Sequence, residues 1–265
     1  MHPELFSIGF LHIRSWGLML AVSFLLVSGL VGRAVRKNKV MSEDDVLEAG
    51  LVAMFSGLLG ARIAYVIEYW HYFQGRPLEI IMVQRGGMVF YGGLLLGMTA
   101  MWFWLRAKKL SALPVLDTIA PPGLLGFAIG RIGCFLNACC YGRVTTHPWG
   151  MHFPDIPGYV HPTQLYEAMA YASSALVFYF VSPYLKREGQ TFGLGLIFYS
   201  VLRFGIEFLR VNPLYFGLSS AQWISIPLLV GGIYLLLSFQ PHVGAWGKLR
   251  LESPTKGQGS LPAQG

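Results

Sequence analysis

Seven apolar runs recur along the chain, each close to the length a helix needs to cross a bilayer. They lie at about 16–31, 46–69, 88–105, 112–136, 165–185, 191–209 and 223–239. A spanning helix takes about 20 mostly apolar residues. The expected fold class is therefore all-α: a polytopic membrane protein of about seven transmembrane helices. They form a single transmembrane domain over residues 1–245, followed by a polar tail at 246–265. From Leu251 the tail is rich in Gly, Pro and Ser and is expected to be disordered, without a catalytic role. The first run lacks a cationic leader and a small-residue cleavage site, so it is expected to stay as an anchor.

Only 12% of residues are charged and 54% are hydrophobic, whereas soluble domains carry about 25% charged residues. A net charge of +7 would suggest nucleic acid in a soluble protein. Here it is assigned to cationic loops facing anionic lipid, so the bilayer is an expected partner and nucleic acid is not.

Lysine and arginine counts orient the spans. Arg33, Arg36, Lys37, Lys39, Arg106, Lys108, Lys109, Lys186, Arg187, Lys248, Arg250 and Lys256 fall in loops on one side. The other side holds Arg14, Arg76, Arg85, Arg143 and Arg210. The richer side is read as cytoplasmic, which places the N-terminus outside and the C-terminus inside.

The stretch IGRIGCFLNACCYGR, 129–143, sets an arginine, Arg131, inside an apolar run, with glycines at 126, 130 and 133. A charge there is costly and marks a functional-site hypothesis. The assumed topology brings other polar residues to the same outer depth. These are Arg62 on the second span, Tyr91, Gly92 and Gly93 on the third, and His161, Gln164 and Glu167 at the start of the fifth. Tyr199, Arg203, Glu207 and Arg210 on the sixth fall at i, i+4, i+8 and i+11 and are read as one helical stripe. An internal Arg203–Glu207 ion pair is an alternative reading of that stripe. Gly92 and Gly93 could admit a head group or simply allow close helix packing. Pro121–Pro122–Gly123 is read as breaking the fourth span below Arg131.

Arg62, Arg131, Arg203 and Arg210 outnumber the nearby acids Glu68, Glu167 and Glu207. Surplus guanidinium in low dielectric suits phosphate, which its fork binds bidentately. An outer-leaflet phosphate most simply belongs to an anionic phospholipid. Residue pattern and topology thus reach a protein that binds or processes such a lipid from the outer side, without choosing a reaction.

Cys134, Cys139 and Cys140 are odd in number and form no CxxC pair, so they are read as small packing residues at a helix end. His147, His152 and His161 match no ligand spacing. No metal is expected, and no soluble cofactor, since no phosphate-cradling loop follows a strand. The loop 142–164, with four prolines, is expected to lack regular structure and to act as a lid or binding surface.

Six pieces occur together: SWGLM at 15–19, GARIAYVI at 60–67, YGGLLLG at 91–97, the 129–143 stretch, HPTQLYE at 161–167 and YSVLRFGIEFLR at 199–210. With them the chain resembles the prolipoprotein diacylglyceryl transferase family of bacterial inner membranes, from Phe6 to the seventh span. The resemblance implies a transferase of the first step of bacterial lipoprotein maturation. It moves the diacylglyceryl group of phosphatidylglycerol to the lipobox cysteine in a prolipoprotein signal peptide; a thioether forms and glycerol phosphate leaves. It implies a periplasm-facing site in which Arg131 binds the phosphate and Arg203 is a second essential arginine. Asn137 and Gly142 match the motif's downstream residues, and Glu207 and Arg210 its acid and arginine on the sixth span.

The chain departs from the family pattern at four places. Tyr91 stands where many members have a histidine proposed as base. Cys134 replaces an asparagine, Cys139 an acidic residue, and Trp16 a tyrosine. A free thiol has a pKa near 8.5, lowered beside arginine, while tyrosine sits near 10. The expectation is that the field of Arg131 and Arg203 activates the substrate thiol, with Tyr91 positioning it or relaying its proton. His161 is an alternative base or a helix cap. Rival readings are an anionic-lipid transporter and a cysteine-based membrane acyltransferase.

Overall fold

The computed structural model describes residues 4–8, 11–82, 87–154 and 156–238. The tail at 246–265, Arg85 and the last residue of the seventh apolar run lie outside them. Seven long helices carry the described chain: α1 (Ser15–Asn38), α2 (Glu43–Glu68), α4 (Phe90–Ala107), α5 (Ala112–Leu136), α6 (Thr163–Val181), α7 (Gln190–Glu207) and α8 (Ser220–Leu237). A single turn, α3 (Trp70–Phe73), follows α2. Two small antiparallel hairpins add the only strands among the described residues. β1 (Glu4–Ile8) and β2 (Leu11–Arg14) precede α1; β3 (Leu214–Tyr215) and β4 (Leu218–Ser219) precede α8. The body is thus helical, as the apolar runs require. Four helices, α1, α2, α5 and α8, are long and apolar enough to cross a membrane.

Local chemistry sets the helix ends. α2 starts at a capping box in which Ser42 and Asp45 bond each other's backbone, and α8 starts at the same device built from Ser219 and Gln222. α7 has no side-chain cap of its own. Instead the buried carboxylate of Asp117, on α5, accepts from the backbone of Gly189 at 2.6 Å and Phe192 at 2.8 Å. α1 runs past the apolar stretch to Asn38 because Val31, Val35 and Asn38 are buried, and Asn38 donates to Thr118 at 2.9 Å.

Two expectations are corrected. α5 continues through Pro121 and Pro122, so the fourth span is not broken. Neighbours α1, α6 and α7 all pack on α5 and hold it in line, and membrane helices tolerate the lost backbone bonds when neighbours surround them. Further along, α7 stops at Glu207, so Arg210 lies in the following turn rather than on the helical stripe. Its N–H bonds back to Glu207 O at 3.1 Å.

Small residues bring the helices close and fix their directions. Gly60 and Gly57 of α2 face Gly92 and Gly93 of α4, where an added Cβ on Gly92 would sit 2.4 Å from Gly60 O. Gly133 of α5 lies against Met19 and Trp16, and Gly126 against Val27 and Ser23, so α5 runs antiparallel to α1. Gly193 meets Gly232 across α7 and α8. This zigzag puts the C-terminal ends of α2, α5 and α7 and the N-terminal ends of α4, α6 and α8 at one end of the bundle. A buried cluster of Val31, Val35, Met41, Val46, Ala49, Trp104 and Val115 closes the other end. Large apolar side chains such as Leu25, Ile67, Phe180 and Val230 face outward, the inverse of a soluble bundle and suited to lipid contact.

Among the described residues, the segment between α5 and α6 has no strand or helix but is packed. Val160 pairs with Val144 and Met151 through isolated bridges, and Phe153 is fully buried against Phe135 and Tyr141.

Candidate functional site

Where α5, α6 and α7 meet, five charged side chains form one layer. Glu167, on the first turns of α6, is its hub. Its side chain is 1% exposed and pairs with Arg131 Nε from α5. Its Oε1 accepts from Arg203 Nη1 of α7 at 2.9 Å and lies 3.9 Å from Arg210 Nη1. Arg203 Nη2 also pairs with Glu207 at 3.0 Å, so the internal ion pair considered for α7 exists within a larger cluster. Glu207 accepts from Asn212 Nδ2 at 2.5 Å.

One helical turn below this layer, each helix supplies an aromatic ring: Phe127 four residues before Arg131, Tyr171 four after Glu167, and Tyr199 four before Arg203. Phe127 lies 5.5 Å from Tyr171 and 6.0 Å from Tyr199 between ring centroids, and the two tyrosines stack at 6.4 Å. These rings, with buried Tyr171 among them, make an apolar floor that keeps the local dielectric low and the charges strong.

The charges do not balance. Arg131, Arg203 and Arg210 face Glu167 and Glu207, leaving one positive charge over. Arg131 makes its ion pair through Nε, and no protein carboxylate takes its Nη1 or Nη2 among the described residues; its side chain is 23% exposed. Arg210 Nε is buried with no hydrogen-bond partner among the described residues. Buried donors without acceptors are rare and call for an explanation. A cleft of about 290 Å³ lined by Arg143, Glu207, Arg210 and Asn212 opens on the Arg210 side of the layer.

The chain after α5 shapes the rim. Asn137 is the C-cap of α5. Gly142 sits where three segments cross: an added Cβ would lie 2.5 Å from Leu209 O and 2.9 Å from His161 Cβ. Its N–H donates to His161 O, and Arg143 N–H donates to Leu209 O, both at 2.8 Å. Glycine here lets the rim clamp the turn that carries Arg210. His161 lies on that rim, its Nδ1 3.2 Å from the Tyr166 hydroxyl. Partial burial, then His147 and Arg143, hold its imidazole below the usual value of 6.5, which keeps it neutral at neutral pH.

Other sequence candidates go elsewhere. Arg62 is buried and spends its fork on backbone carbonyls: Nε to Ile80 O at 2.8 Å, Nη1 to Gly87 O at 3.0 Å and Nη2 to Glu79 O at 2.5 Å. These bonds fasten the α3–α4 connection. Gly92 and Gly93 are filled by α2, so helix packing explains them. Tyr91 is exposed on the first turn of α4, at the same end of the bundle but outside the Glu167 cluster. The sequence pattern places Glu167 only among the nearby acids and gives it no role. The sign available in the sequence was its place one turn into the helix that HPTQ begins, at the depth of the arginines.

A family model described as prolipoprotein diacylglyceryl transferase matches residues 3–238. Three relatives carry the name phosphatidylglycerol–prolipoprotein diacylglyceryl transferase. The one from Cupriavidus necator is 34% identical over 92% of this chain and 95% of its own length. The one from Pseudoalteromonas translucida is 36% identical over 89% and 91%, and the one from Clostridium novyi 34% over 89% and 95%.

Proposed function

The chain belongs to the prolipoprotein diacylglyceryl transferase family, and on that premise we propose how its residues carry the reaction. The enzyme transfers the diacylglyceryl group of phosphatidylglycerol to the lipobox cysteine of a prolipoprotein. The thiol sulfur attacks the diacylglyceryl carbon bonded to the phosphate oxygen. The C–S bond forms as that C–O bond breaks, and glycerol phosphate leaves with the electron pair. The thiol proton departs to the leaving phosphate or to water.

The observation that carries the assignment of the site is the open guanidinium edge of Arg131 beside a charge layer one cation in surplus. A phosphodiester fits both: its two free oxygens match the fork, and its single negative charge balances the layer. Glu167 holds Arg131, Arg203 and Arg210 in place, so the donors are oriented before the lipid arrives. The same charges stabilise the phosphate as negative charge builds on the leaving oxygen, where fixed donors in a dry site are most effective. The aromatic floor of Phe127, Tyr171 and Tyr199 keeps water from beneath the reacting atoms. Asn137, Gly142 and His161 shape the rim, and Tyr91 orients the incoming peptide and relays its proton.

In this reading all seven long helices cross the inner membrane of a bacterial cell, with the N-terminus periplasmic, the C-terminus cytoplasmic and the site in the periplasmic leaflet. The test is purified protein with phosphatidylglycerol and a lipobox-cysteine peptide, followed by mass spectrometry. The peptide should gain one diacylglyceryl group in a linkage that resists hydroxylamine. A hydroxylamine-labile acyl group would mean cysteine acyl transfer, and lipid movement without peptide modification would mean a transporter.

A further inference from the structure

Three cysteine sulfurs meet beside this site, although their spacing in sequence matches no metal motif. Cys134 lies on the last turns of α5, one turn after Arg131; Cys139 and Cys140 follow the helix. Ala138 and Cys140 both take left-handed backbone (φ 54° and 67°), which folds the chain back over α5. Cys139 N–H then donates to Cys134 O at 3.1 Å. Side chains at the start of α6 fasten the turn: Gln164 Nε2 donates to Cys139 O at 2.6 Å and Thr163 Oγ1 to Cys140 O at 2.9 Å. The three Sγ atoms all lie within 4.8 Å of one another, with Cys139 and Cys140 at 3.6 Å. The Oε1 of Gln164 is buried there with no hydrogen-bond partner among the described residues.

We propose that Cys134, Cys139 and Cys140 hold a thiophilic divalent cation of the Zn²⁺ class, whose open fourth position takes the substrate thiol. A tetrahedral ion with metal–sulfur bonds of about 2.3 Å spaces its sulfurs about 3.8 Å apart, so the observed cluster closes with small side-chain shifts. All three cysteines are half-buried. A disulfide would join two sulfurs and strand the third; an ion uses all three. Nearby arginines favour the thiolate form of the three ligands.

The assignment adds a further way to generate a thiolate, beside the arginine field, in a chain with tyrosine at position 91. A thiol bound to such an ion is deprotonated outright, its proton passing to water. The metal-bound sulfur attacks the diacylglyceryl carbon, the C–O bond to phosphate breaks, and the neutral thioether, a weaker ligand, leaves the ion. The metal keeps its oxidation state throughout. This role deepens the transferase reading and rests on it; the metal site itself does not.

The experiment uses the full chain in lipid nanodiscs, reduced, stripped with a chelator and titrated with Co²⁺ or Cd²⁺. One ion per chain should bind with thiolate-to-metal charge-transfer absorption, and Cys134→Ser, Cys139→Ser and Cys140→Ser should each weaken binding by about tenfold or more. Adding a lipobox peptide should shift the Co²⁺ spectrum, while the same peptide with serine for cysteine should not. Absence of the band, a band that survives in the triple serine variant, or a disulfide among the three in the isolated protein overturns the site. Metal binding with a spectrum unmoved by saturating peptide overturns the activating role. Should the chelated protein and the triple variant both alkylate peptide at the full rate, the activating role falls and the transferase reading stands. Failure of every form to modify peptide despite a normal metal site would instead remove the transferase reading.

Discussion

Arg203 reaches across from α7 to Glu167 on α6, its Nη1 2.9 Å from Oε1, and this contact closes the charge layer. Glu167 is shared with Arg131 and approached by Arg210, so one buried carboxylate orients three cations supplied by α5, by α7 and by the turn after it.

Replacing that carboxylate should therefore cost stability before anything else. Glu167→Gln leaves three clustered cations against Glu207 alone. Breaking a buried pair from one side costs about 3–5 kcal/mol, and thermal unfolding in detergent should show a melting temperature lower by roughly 10 °C. An unchanged melting temperature would show that Glu167 does not hold the layer together.

Arg131→Lys keeps the charge and loses the fork. Its Nε contact to Glu167 and the open Nη edge cannot both be replaced by one ammonium. Peptide modification should fall about 100-fold, the scale of losing a fixed donor to a developing oxyanion, with folding unaffected by circular dichroism.

Gly142→Ala tests the rim. The new methyl group would press on the Leu209 carbonyl, a backbone atom that can yield only by moving the turn that carries Arg210. Overpacking of this kind costs about 1–3 kcal/mol, and activity should drop while Gly130→Ala, where an added Cβ meets nothing within 4 Å, is tolerated.

His161 gives a pH signature. Its folded pKa lies below the unfolded value, so the unfolded chain binds the proton more readily. The stability tied to the neutral ring is fully present above the unfolded value and is lost as pH falls through the folded one. Melting temperatures between about pH 7 and pH 5 should decline more steeply for the parent than for His161→Gln.

Much of this architecture is legible from apolar run length. The fourth run coincides with α5 to the residue. Helix ends set by other means are not legible that way. α1 outruns its apolar stretch because Val35 and Asn38 are buried on one face only, and α7 stops three residues short of Arg210 although the spacing continues. The convergence of Arg131, Arg203, Glu207 and Arg210 follows from depth counting alone. Arg62 has the same depth and the same chemistry, yet carbonyls of the α3–α4 connection occupy it, and nothing in a linear sequence announces a backbone acceptor. The thiol cluster was hidden for a related reason: Ala138 and Cys140 adopt left-handed backbone without glycine, so no turn signal marks the place where the chain folds back.

The claim everything else depends on is that the unbalanced guanidinium charge around Arg131 holds a lipid phosphodiester. Native mass spectrometry of the protein released from mixed phosphatidylglycerol and phosphatidylcholine micelles measures this directly. The account predicts that phosphatidylglycerol is retained preferentially by the parent chain and that Arg131→Gln removes the preference while Arg76→Gln keeps it. An Arg131→Gln protein that still selects phosphatidylglycerol as strongly as the parent would contradict it.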